Sequence, residues 1–196
     1  MPDYTYESRL AAAGFSPVCG VDEAGRGPLV GPVYAAAVIL PLDLEIPGLN
    51  DSKKVSEKRR EALYDEICER ALDCAAAFAT AEEIEELNIL GAAYLAMNRA
   101  VAALKTIPAI ALIDGNRGEG IEIRHECVVS GDEKCMSIAA ASILAKVERD
   151  RYMREYAKRY SGYGFERNKG YGTPEHYAAL RELGLTPEHR RGFRLI

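Results

Sequence analysis

Short apolar runs alternate with polar, glycine-rich segments along the 196-residue chain. An apolar run bounded by turn-forming residues is typical of a buried strand. Five such runs predict strands over residues 18–22, 33–40, 75–80, 109–113 and 124–129. Helix-type spacing of apolar positions appears between several of these runs, so the chain is predicted to fold as an α/β protein.

Polar residues at the start of each helical pattern sharpen this prediction. Ser56 is placed to cap a helix that ends near Arg70. Thr80 and Glu83 form a capping-box pattern ahead of a second helix, and residues 130–133 repeat the pattern ahead of an alanine-rich helix.

The segment after the alanine-rich helix changes character. Residues 161–172 contain four glycines and no apolar period, which predicts a loop. Pro174 then begins a short helix at its first turn.

Composition narrows the class of protein. Hydrophobic residues make up 48% of the chain and charged residues 28%, which is ordinary for a globular protein with a proper core. We therefore expect a single domain over residues 1–196. No apolar run approaches the ~20 residues of a membrane helix, and the N-terminus lacks the basic and apolar regions of a signal peptide.

Cysteines and histidines show no metal-binding pattern. The five cysteines are scattered without a C-x-x-C pair, which favours a reducing, cytoplasmic location over a disulfide framework or a zinc site. His125, His176 and His189 show no H-x-x-x-H spacing and are predicted to be structural or surface residues, although His176 could lie near a substrate.

The net charge of −5 argues weakly against a nucleic-acid ligand, but the charge is unevenly distributed. From Lys146 onward there are 12 Lys or Arg and 7 Asp or Glu, a balance of +5, whereas the preceding residues hold 13 and 23, a balance of −10. The C-terminal quarter can therefore face phosphates. On charge alone, a charged helical surface without a ligand is an equally good interpretation.

The segment from Val21 to Pro32 carries the candidate chemistry. Asp22 and Glu23 end the first apolar run, and a loop with three glycines and Arg26 follows directly. Paired carboxylates at a strand end suit metal binding or acid/base chemistry. Glycines let a ligand approach the main chain, and arginine suits phosphate. A hairpin turn with an exposed acid pair is the simpler alternative, and the spacing fits neither a P-loop nor a dinucleotide-binding fingerprint.

Two further acids follow apolar runs. Asp114 comes directly after the strand predicted over 109–113, and Asp132 stands at a strand-to-helix junction. Alone, each would more often be a turn residue, and Asp132 could instead face a helix dipole. Because neighbouring strand residues point to opposite faces, Asp22 and Glu23 reach one site only if the strand ends between them or Glu23 also offers its main-chain carbonyl.

Several segments together resemble the signatures of the ribonuclease HII family. They read D-E-A-G-R-G-P-L-V-G-P from Asp22, L-I-D-G-N around Asp114, and S-I-A-A-A-S-I-L-A-K-V shortly after the G-D at Asp132. A fourth match, N-K-G-Y-G-T-P-E-H, contains Tyr171. The resemblance implies a ribonuclease H-like fold, a five-stranded mixed sheet flanked by helices, with a C-terminal helical extension over about residues 161–196.

The resemblance also implies a catalytic, metal-binding site built from Asp22, Glu23, Asp114 and Asp132. Clustered carboxylates repel one another unless a cation binds, and hard oxygen ligands suit Mg²⁺ or Mn²⁺ better than Zn²⁺. Two such ions at turnover, ~4 Å apart, would activate a water and stabilise the leaving oxygen of a phosphodiester.

Substrate contacts follow from the same resemblance. The loop of Gly25, Arg26 and Gly27 is implied to contact the 2′-hydroxyl of a ribonucleotide. Tyr171 is implied to pack on the sugar of the next deoxyribonucleotide. Candidate phosphate contacts are Lys53, Lys146 and Lys169.

The implied activity is hydrolysis of the RNA strand of RNA–DNA hybrids and incision on the 5′ side of ribonucleotides embedded in DNA. The products would carry a 3′-hydroxyl and a 5′-phosphate, and the roles would be ribonucleotide removal and primer clearance. No obligatory protein partner and no membrane are implied.

Three rival classes are weighed against this activity. Another ribonuclease H-like DNA nuclease, such as a resolvase or transposase core, is disfavoured by the glycine–arginine–glycine loop. A non-catalytic nucleic-acid binder is disfavoured by the four intact acids. A retaining glycosidase is the most distant, because the adjacent Asp22 and Glu23 cannot flank a sugar.

Overall fold

The computed structural model describes residues 1–50 and 52–195, so Asp51 and Ile196, the last residue of the predicted domain, lie outside the described residues. One mixed sheet is formed by β1 (Val18–Ala24), β2 (Val33–Ile39), β3 (Asp73–Ala79), β4 (Ile110–Asp114) and β5 (His125–Val128). The strand order is β3–β2–β1–β4–β5. β2 runs antiparallel to β1 and β3, whereas β4 runs parallel to β1 and β5. The predicted α/β class and five-stranded mixed sheet are confirmed.

Helices cover both faces of the sheet. They are α1 (Thr5–Ala12), α2 (Glu57–Arg70), α3 (Ala81–Ala102), α4 (Met136–Arg159), α5 (Phe165–Asn168) and α6 (Pro174–Leu183). One core forms between α3 and one face of the sheet, and a second forms between the opposite face and helices α2 and α4. No helix in the described part of the chain is long and apolar enough to cross a bilayer.

Helix α4 lies unusually close to β1. An ideal Cβ added at Gly20 would be 2.2 Å from the carbonyl carbon of Ser137, so a side chain at this position would overlap the helix backbone. Ala139, Ala140, Ala141 and Ala145 of α4 are fully buried. Since side chains alternate along a strand, Asp22 points to the same face as Gly20 and is directed toward α4.

Two of the predicted helix caps are confirmed. The Ser56 hydroxyl accepts a hydrogen bond from the Arg59 amide at 3.3 Å. At α3, the Thr80 hydroxyl accepts from the Glu83 amide at 3.2 Å while the Glu83 carboxylate accepts from the Thr80 amide at 2.9 Å. Both orphan amides at the start of α3 are thus satisfied reciprocally.

The capping box predicted over residues 130–133 is wrong. Ser130 has a left-handed conformation, with φ of 54°, and its side chain makes no capping hydrogen bond. The Glu133 carboxylate pairs with Lys54 at 2.6 Å instead of turning back to the chain. The segment Gly131–Glu133 forms one 3₁₀ turn, and α4 begins only after Cys135.

The loop predicted over residues 161–172 is also partly wrong, because it contains the one-turn helix α5. Phe165 is fully buried there. The Asn168 side chain donates to the Tyr163 carbonyl and accepts from the Gly170 amide, each at 2.8 Å. Tertiary packing of one aromatic ring therefore fixes a helical turn that has no sequence period.

Candidate active site

A cavity of about 490 Å³ opens at the carboxyl end of β4. The parallel pairing of β1 with β4 stops at Val21 and Ile113, and β1 then continues to Ala24 beside β2 alone. This leaves a notch in the sheet beyond Asp114. The residues that line it include Asp22, Glu23, Gly25, Arg26, Gly27, Lys53, Asp114, Ser142, Lys146 and Tyr171.

Asp22 and Glu23 reach this cavity from opposite faces of one strand. Glu23 is still within β1, which excludes the first of the two alternatives, that the strand ends between the two acids. Asp22 faces the α4 side of the sheet. Glu23 faces the α3 side, where it also lines a second cavity of about 330 Å³ that shares Asp114 and Arg26. The notch lets both side chains contribute, and a role for the main-chain carbonyl of Glu23 stays a prediction.

The buried carboxylates are poorly compensated. Burial raises the pKa of Asp22 well above its ordinary value, the charges of Glu23 and Asp114 raise it further, and the Ser142 hydroxyl opposes the shift. Burial also raises the pKa of Glu23, against the effect of Arg26, whose Nη1 lies 3.3 Å from the carboxylate. A bound cation would relieve this repulsion.

Backbone amides fix two of the acids. The Asp22 Oδ1 accepts a hydrogen bond from the Glu23 amide at 2.7 Å, and the Asp114 Oδ1 accepts from the Gly131 amide at 2.7 Å. Asp132 is the residue after Gly131 and is only 7% exposed. It does not appear among the described residues that line the cavity. The fold thus brings three of the four predicted acids to the cavity and places the fourth in the adjoining turn.

The donor set suits a hard divalent cation. The acids of the cavity offer only carboxylate oxygens, which Mg²⁺ and Mn²⁺ prefer. Within residues 1–50 and 52–195, no three Asp, Glu, His or Cys side chains stand close enough together to form a ready-made metal cluster. The carboxylates therefore have the right chemistry, and they would have to draw closer around an ion.

The opposite wall of the cavity is the glycine loop, which a buried arginine holds from behind. Arg190 is fully buried. Its guanidinium donates hydrogen bonds to the carbonyls of Gly25, Arg26, Pro28, Gly31 and Pro32 at 2.8–3.2 Å. Burial, with Arg149 nearby, lowers the pKa of Arg190 to about 9. One side chain thus fixes the course of the whole loop.

Arg149 supports the same loop from α4. An ideal Cβ at Gly25 would lie 2.1 Å from Arg149 Nε, so only a glycine fits above the guanidinium. The Nε and Nη1 atoms of Arg149 have no hydrogen-bond partner among the described residues. The Arg149 guanidinium carbon also lies 5.8 Å from the centre of the Tyr171 ring.

Tyr171 stands across the cavity from the loop and is 42% exposed. An ideal Cβ at Gly27 would be 3.5 Å from Tyr171 Cε1, so the ring and the loop face each other at contact distance. The ring and the glycine backbone that Arg190 holds in place therefore line the same part of the cavity.

The three predicted phosphate-binding lysines separate in the structure. Lys53 and Lys146 line the cavity, and Lys146 also pairs with Asp150 at 2.7 Å. Lys169 does not appear in the described lining; it is 8% exposed, and its Nζ donates to the Glu166 carbonyl at 2.6 Å. A phosphate-binding role for Lys169 stays a prediction.

Much of the positive charge of the C-terminal quarter is neutralised locally. Arg151 and Arg154 on α4 pair with Glu61 on α2 at 2.6 and 2.7 Å, and Arg154 also pairs with Glu57. Part of the excess positive charge of the C-terminal quarter therefore stabilises the packing of α4 on α2 and does not face the cavity.

Two buried residues behind the cavity are not predicted from the sequence, namely Arg149 and Arg190, which support the glycine loop. The structural role predicted for His176 and His189 is confirmed, because both are buried and contact each other at the base of the Tyr171 segment. Arg190 directly follows His189, and no local pattern reveals that its donors meet carbonyls some 160 positions earlier in the chain.

An α/β sheet of this order, with acids where neighbouring strands end, defines the ribonuclease H-like class of enzymes. Within that class, the family model described as Ribonuclease HII matches residues 19–195, and the chain belongs to that family. The family is one of nucleases, and the chain is accordingly a ribonuclease H, a hydrolase.

Individual relatives agree with this assignment. The Ribonuclease HII of Endomicrobium trichonymphae is 55% identical over 97% of this chain and 91% of its own length. A solved structure of a PCNA:RNase HII complex from Archaeoglobus fulgidus is 27% identical, with a TM-score of 0.76 over 91% of this chain and 96% of that one. Bst-RNase HIII, solved in complex with Mn²⁺, shares the fold at 19% identity, with a TM-score of 0.69 over 91% of this chain and 67% of that one.

Proposed function

We propose that the chain cuts the RNA strand of RNA–DNA hybrids and incises DNA on the 5′ side of embedded ribonucleotides. One observation carries the proposal. The same cavity holds three carboxylates on one wall and, on the other, the loop of Gly25, Arg26 and Gly27 opposite Tyr171. The proposed hydrolytic centre thus lies beside a surface that would bind the sugar of the substrate.

The acidic wall would hold the metal. Asp22, Glu23 and Asp114 would bind Mg²⁺ or Mn²⁺, with Asp132 contributing after a small movement of the Gly131–Glu133 turn. Two bound ions would supply a nucleophilic water and stabilise the leaving oxygen, giving a 3′-hydroxyl and a 5′-phosphate. The amides of Glu23 and Gly131 orient the carboxylates.

The opposite wall would select the substrate. Main-chain groups of the glycine loop can approach a 2′-hydroxyl closely, because no side chain intervenes at Gly25 or Gly27. The Tyr171 ring would pack on the following deoxyribose, where its bulk would exclude a second 2′-hydroxyl. Lys53 and Lys146 would bind the backbone phosphates on either side.

The wider setting follows from these roles. The domain would cover residues 1–196, with 161–196 as a substrate-binding extension that carries Tyr171. The described cysteines are all free thiols, which supports the predicted cytoplasmic location. The biological role would be removal of ribonucleotides from DNA and clearance of primers.

The decisive experiment is cleavage of a DNA duplex that contains one ribonucleotide, compared in Mg²⁺ and Mn²⁺. We expect one cut on the 5′ side of the ribonucleotide, dependent on metal. An all-DNA four-way junction is the control. Cleavage of that junction with the ribonucleotide duplex left intact would assign the chain to the DNA nucleases of the same fold.

A further inference from the structure

Two histidines that the proposed mechanism does not use form a buried pair behind Tyr171. His176 lies on α6 and is fully buried, and His189 is 2% exposed. Their Nε2 atoms are 3.0 Å apart. Two imidazole nitrogens can form a hydrogen bond at this distance only if one carries a proton and the other does not.

The surrounding hydrogen bonds decide which nitrogen carries the proton. The Thr186 amide donates to His189 Nδ1 at 2.8 Å, so this nitrogen is an acceptor and the His189 proton is on Nε2. His189 Nε2 therefore donates to His176 Nε2. The His176 proton is then on Nδ1, which donates to the Tyr171 carbonyl at 2.9 Å.

The chain of hydrogen bonds is anchored at its far end. The Tyr156 hydroxyl donates to Thr186 Oγ1 at 2.8 Å, and Thr186 Oγ1 lies 2.8 Å from His189 Nδ1. Both rings must be neutral, in agreement with the burial that lowers the pKa of His176 and of His189.

The series of hydrogen bonds ends at the backbone carbonyl of Tyr171, the residue whose ring is proposed to pack on the sugar. The Tyr171 ring projects into the cavity, whereas its carbonyl turns inward and accepts from His176 and from the Thr173 amide at 2.8 Å. The preceding residue is fixed too, since the Gly170 carbonyl accepts from the Leu29 amide at 2.8 Å, next to the glycine loop. The backbone orientation at Tyr171 sets the direction of the ring.

We propose that His176 and His189 are positioning residues, which fix the backbone orientation at Tyr171 and so keep its ring in the cavity wall where it can pack on a deoxyribose. The proposal rests on the proposed function, since it concerns how that site recognises the ribonucleotide–deoxyribonucleotide junction. Neither histidine touches the substrate. Their effect passes through one carbonyl.

The test compares two substrates in each variant. The measured quantity is the junction preference, which we define as kcat/KM on a duplex with one ribonucleotide divided by kcat/KM on an all-RNA strand paired with DNA. Tyr171→Ala should lower the preference roughly fivefold, at the low end of the effect of losing a stacking aromatic. His176→Phe should lower the preference by a similar factor. The phenyl ring fills the space of the imidazole, but the Nδ1–H donor to the Tyr171 carbonyl is lost.

Two further variants separate positioning from simple packing. His176→Asn keeps an amide near the position of Nδ1 and should restore most of the preference. The double variant of Tyr171→Ala with His176→Phe should show no more loss than Tyr171→Ala alone, since both act through the same ring. Tyr163→Phe is the matched control. It removes a buried hydrogen bond to the Gly184 carbonyl from the same cluster and should leave the preference unchanged.

A measurement on the unmodified enzyme covers the case in which His176→Phe does not fold. Side-chain ¹⁵N NMR should find His176 as the neutral Nδ1–H form and His189 as the neutral Nε2–H form. The opposite forms would overturn the proposal, and so would a junction preference in His176→Phe that matches the wild type. Additive losses in the double variant would overturn it as well. If the wild type cuts neither substrate, the proposed function itself has failed, and the NMR result still reports on the histidine chain.

Discussion

The two walls of the cavity are built in opposite ways. The acidic wall comes from two neighbouring strands of a regular sheet, and burial together with the negative charge of Asp114 raises the pKa values of Asp22 and Glu23. The glycine-loop wall is irregular, yet the Arg190 guanidinium donates hydrogen bonds to five of its carbonyls. The contrast separates two tasks. Uncompensated negative charge favours binding of a cation at the acidic wall. A rigid backbone at the glycine-loop wall favours selective binding of a sugar, because the binding geometry exists before the substrate arrives.

The largest expected effect breaks the acidic wall. Asp114→Asn should reduce turnover at saturating metal by at least about 100-fold, because even the outer-shell partners of metal ligands contribute 10–100-fold. The metal-free protein should be as stable as the wild type or slightly more so, since the charge of Asp114 raises the pKa of both neighbours. Single-turnover cleavage and urea unfolding measure the two effects.

Asp65→Asn is the control for that substitution. It removes one negative charge from the exposed face of α2, away from the cavity, and should leave turnover unchanged. Wild-type turnover by Asp114→Asn at saturating metal would contradict a metal-binding role.

The second effect breaks the opposite wall. Arg190→Lys replaces a planar fork by a single ammonium that cannot reach all five carbonyls. Buried carbonyls left without a donor should lower the free energy of unfolding by roughly 3 kcal/mol. Thermal and urea unfolding are the measurements, with Arg191→Lys, at the exposed neighbouring position, as the control. Equal stability of the two variants would show that the loop holds its own shape.

A smaller effect concerns the histidine chain below that wall. The pKa of His189 is lowered to about 4 from an ordinary 6.5 by burial and by His176. Between these values the unfolded chain binds more protons than the folded one, so stability is complete above the unfolded pKa and is lost as the pH falls toward 4. The loss between about pH 7 and pH 5 should be on the order of 2 kcal/mol.

The measurement is the difference in unfolding free energy between wild type and His189→Asn across this pH range. Taking the difference cancels the opposite contribution of Asp22, whose raised pKa favours the folded state in acid. His125→Gln, on β5 and away from the cluster, is the control. A difference that does not change with pH would mean that His189 is not held neutral.

The smallest expected effect is on the salt dependence of substrate affinity, to which basic residues around the cavity contribute. Arg26, Lys53 and Lys146 line the cavity, and two or three phosphate contacts give a slope of log affinity against log salt of about −2 to −3. Lys53→Ala should make the slope shallower by about 1. Lys158→Ala, in an exposed ion pair with Glu155, should not. A slope near zero would exclude phosphates as the main anchor.

The sequence predicts the acidic wall far better than the loop wall. Asp22 and Asp114 stand at the ends of apolar runs, and the parallel pairing of neighbouring strands brings such ends together. The strands, the cap of α2 and the capping box of α3 are local patterns, which is why they could be predicted. Family resemblance added the sheet architecture, joined the four acids into one site, and implied the roles of Tyr171 and the glycine loop.

The remaining features depend on contacts between distant parts of the chain. Ser130 and Glu133 match a capping box by spacing, but an ion pair from Glu133 to Lys54 overrides it. Lys169 is a candidate phosphate ligand by sequence, but its 8% exposure and the contact of its Nζ with the Glu166 carbonyl appear only in the folded chain. Arg190 and the histidine pair have no local signature, because their partners are fixed only when the C-terminal segment crosses the loop.

The close contact at Gly20 has a consequence for engineering this enzyme. Replacing glycine by alanine is a general route to heat-resistant variants, because it restricts the unfolded chain. At Gly20 that route is closed, since the added methyl group would have to push the backbone of α4 aside. Helix α4 carries Ser142 and Lys146, which line the cavity, and Arg149, which supports the glycine loop. A shift of the helix would therefore displace all three residues and widen the active-site cavity. A library that aims for thermal tolerance should therefore hold this position constant and vary the exposed faces of α2 and α6 instead.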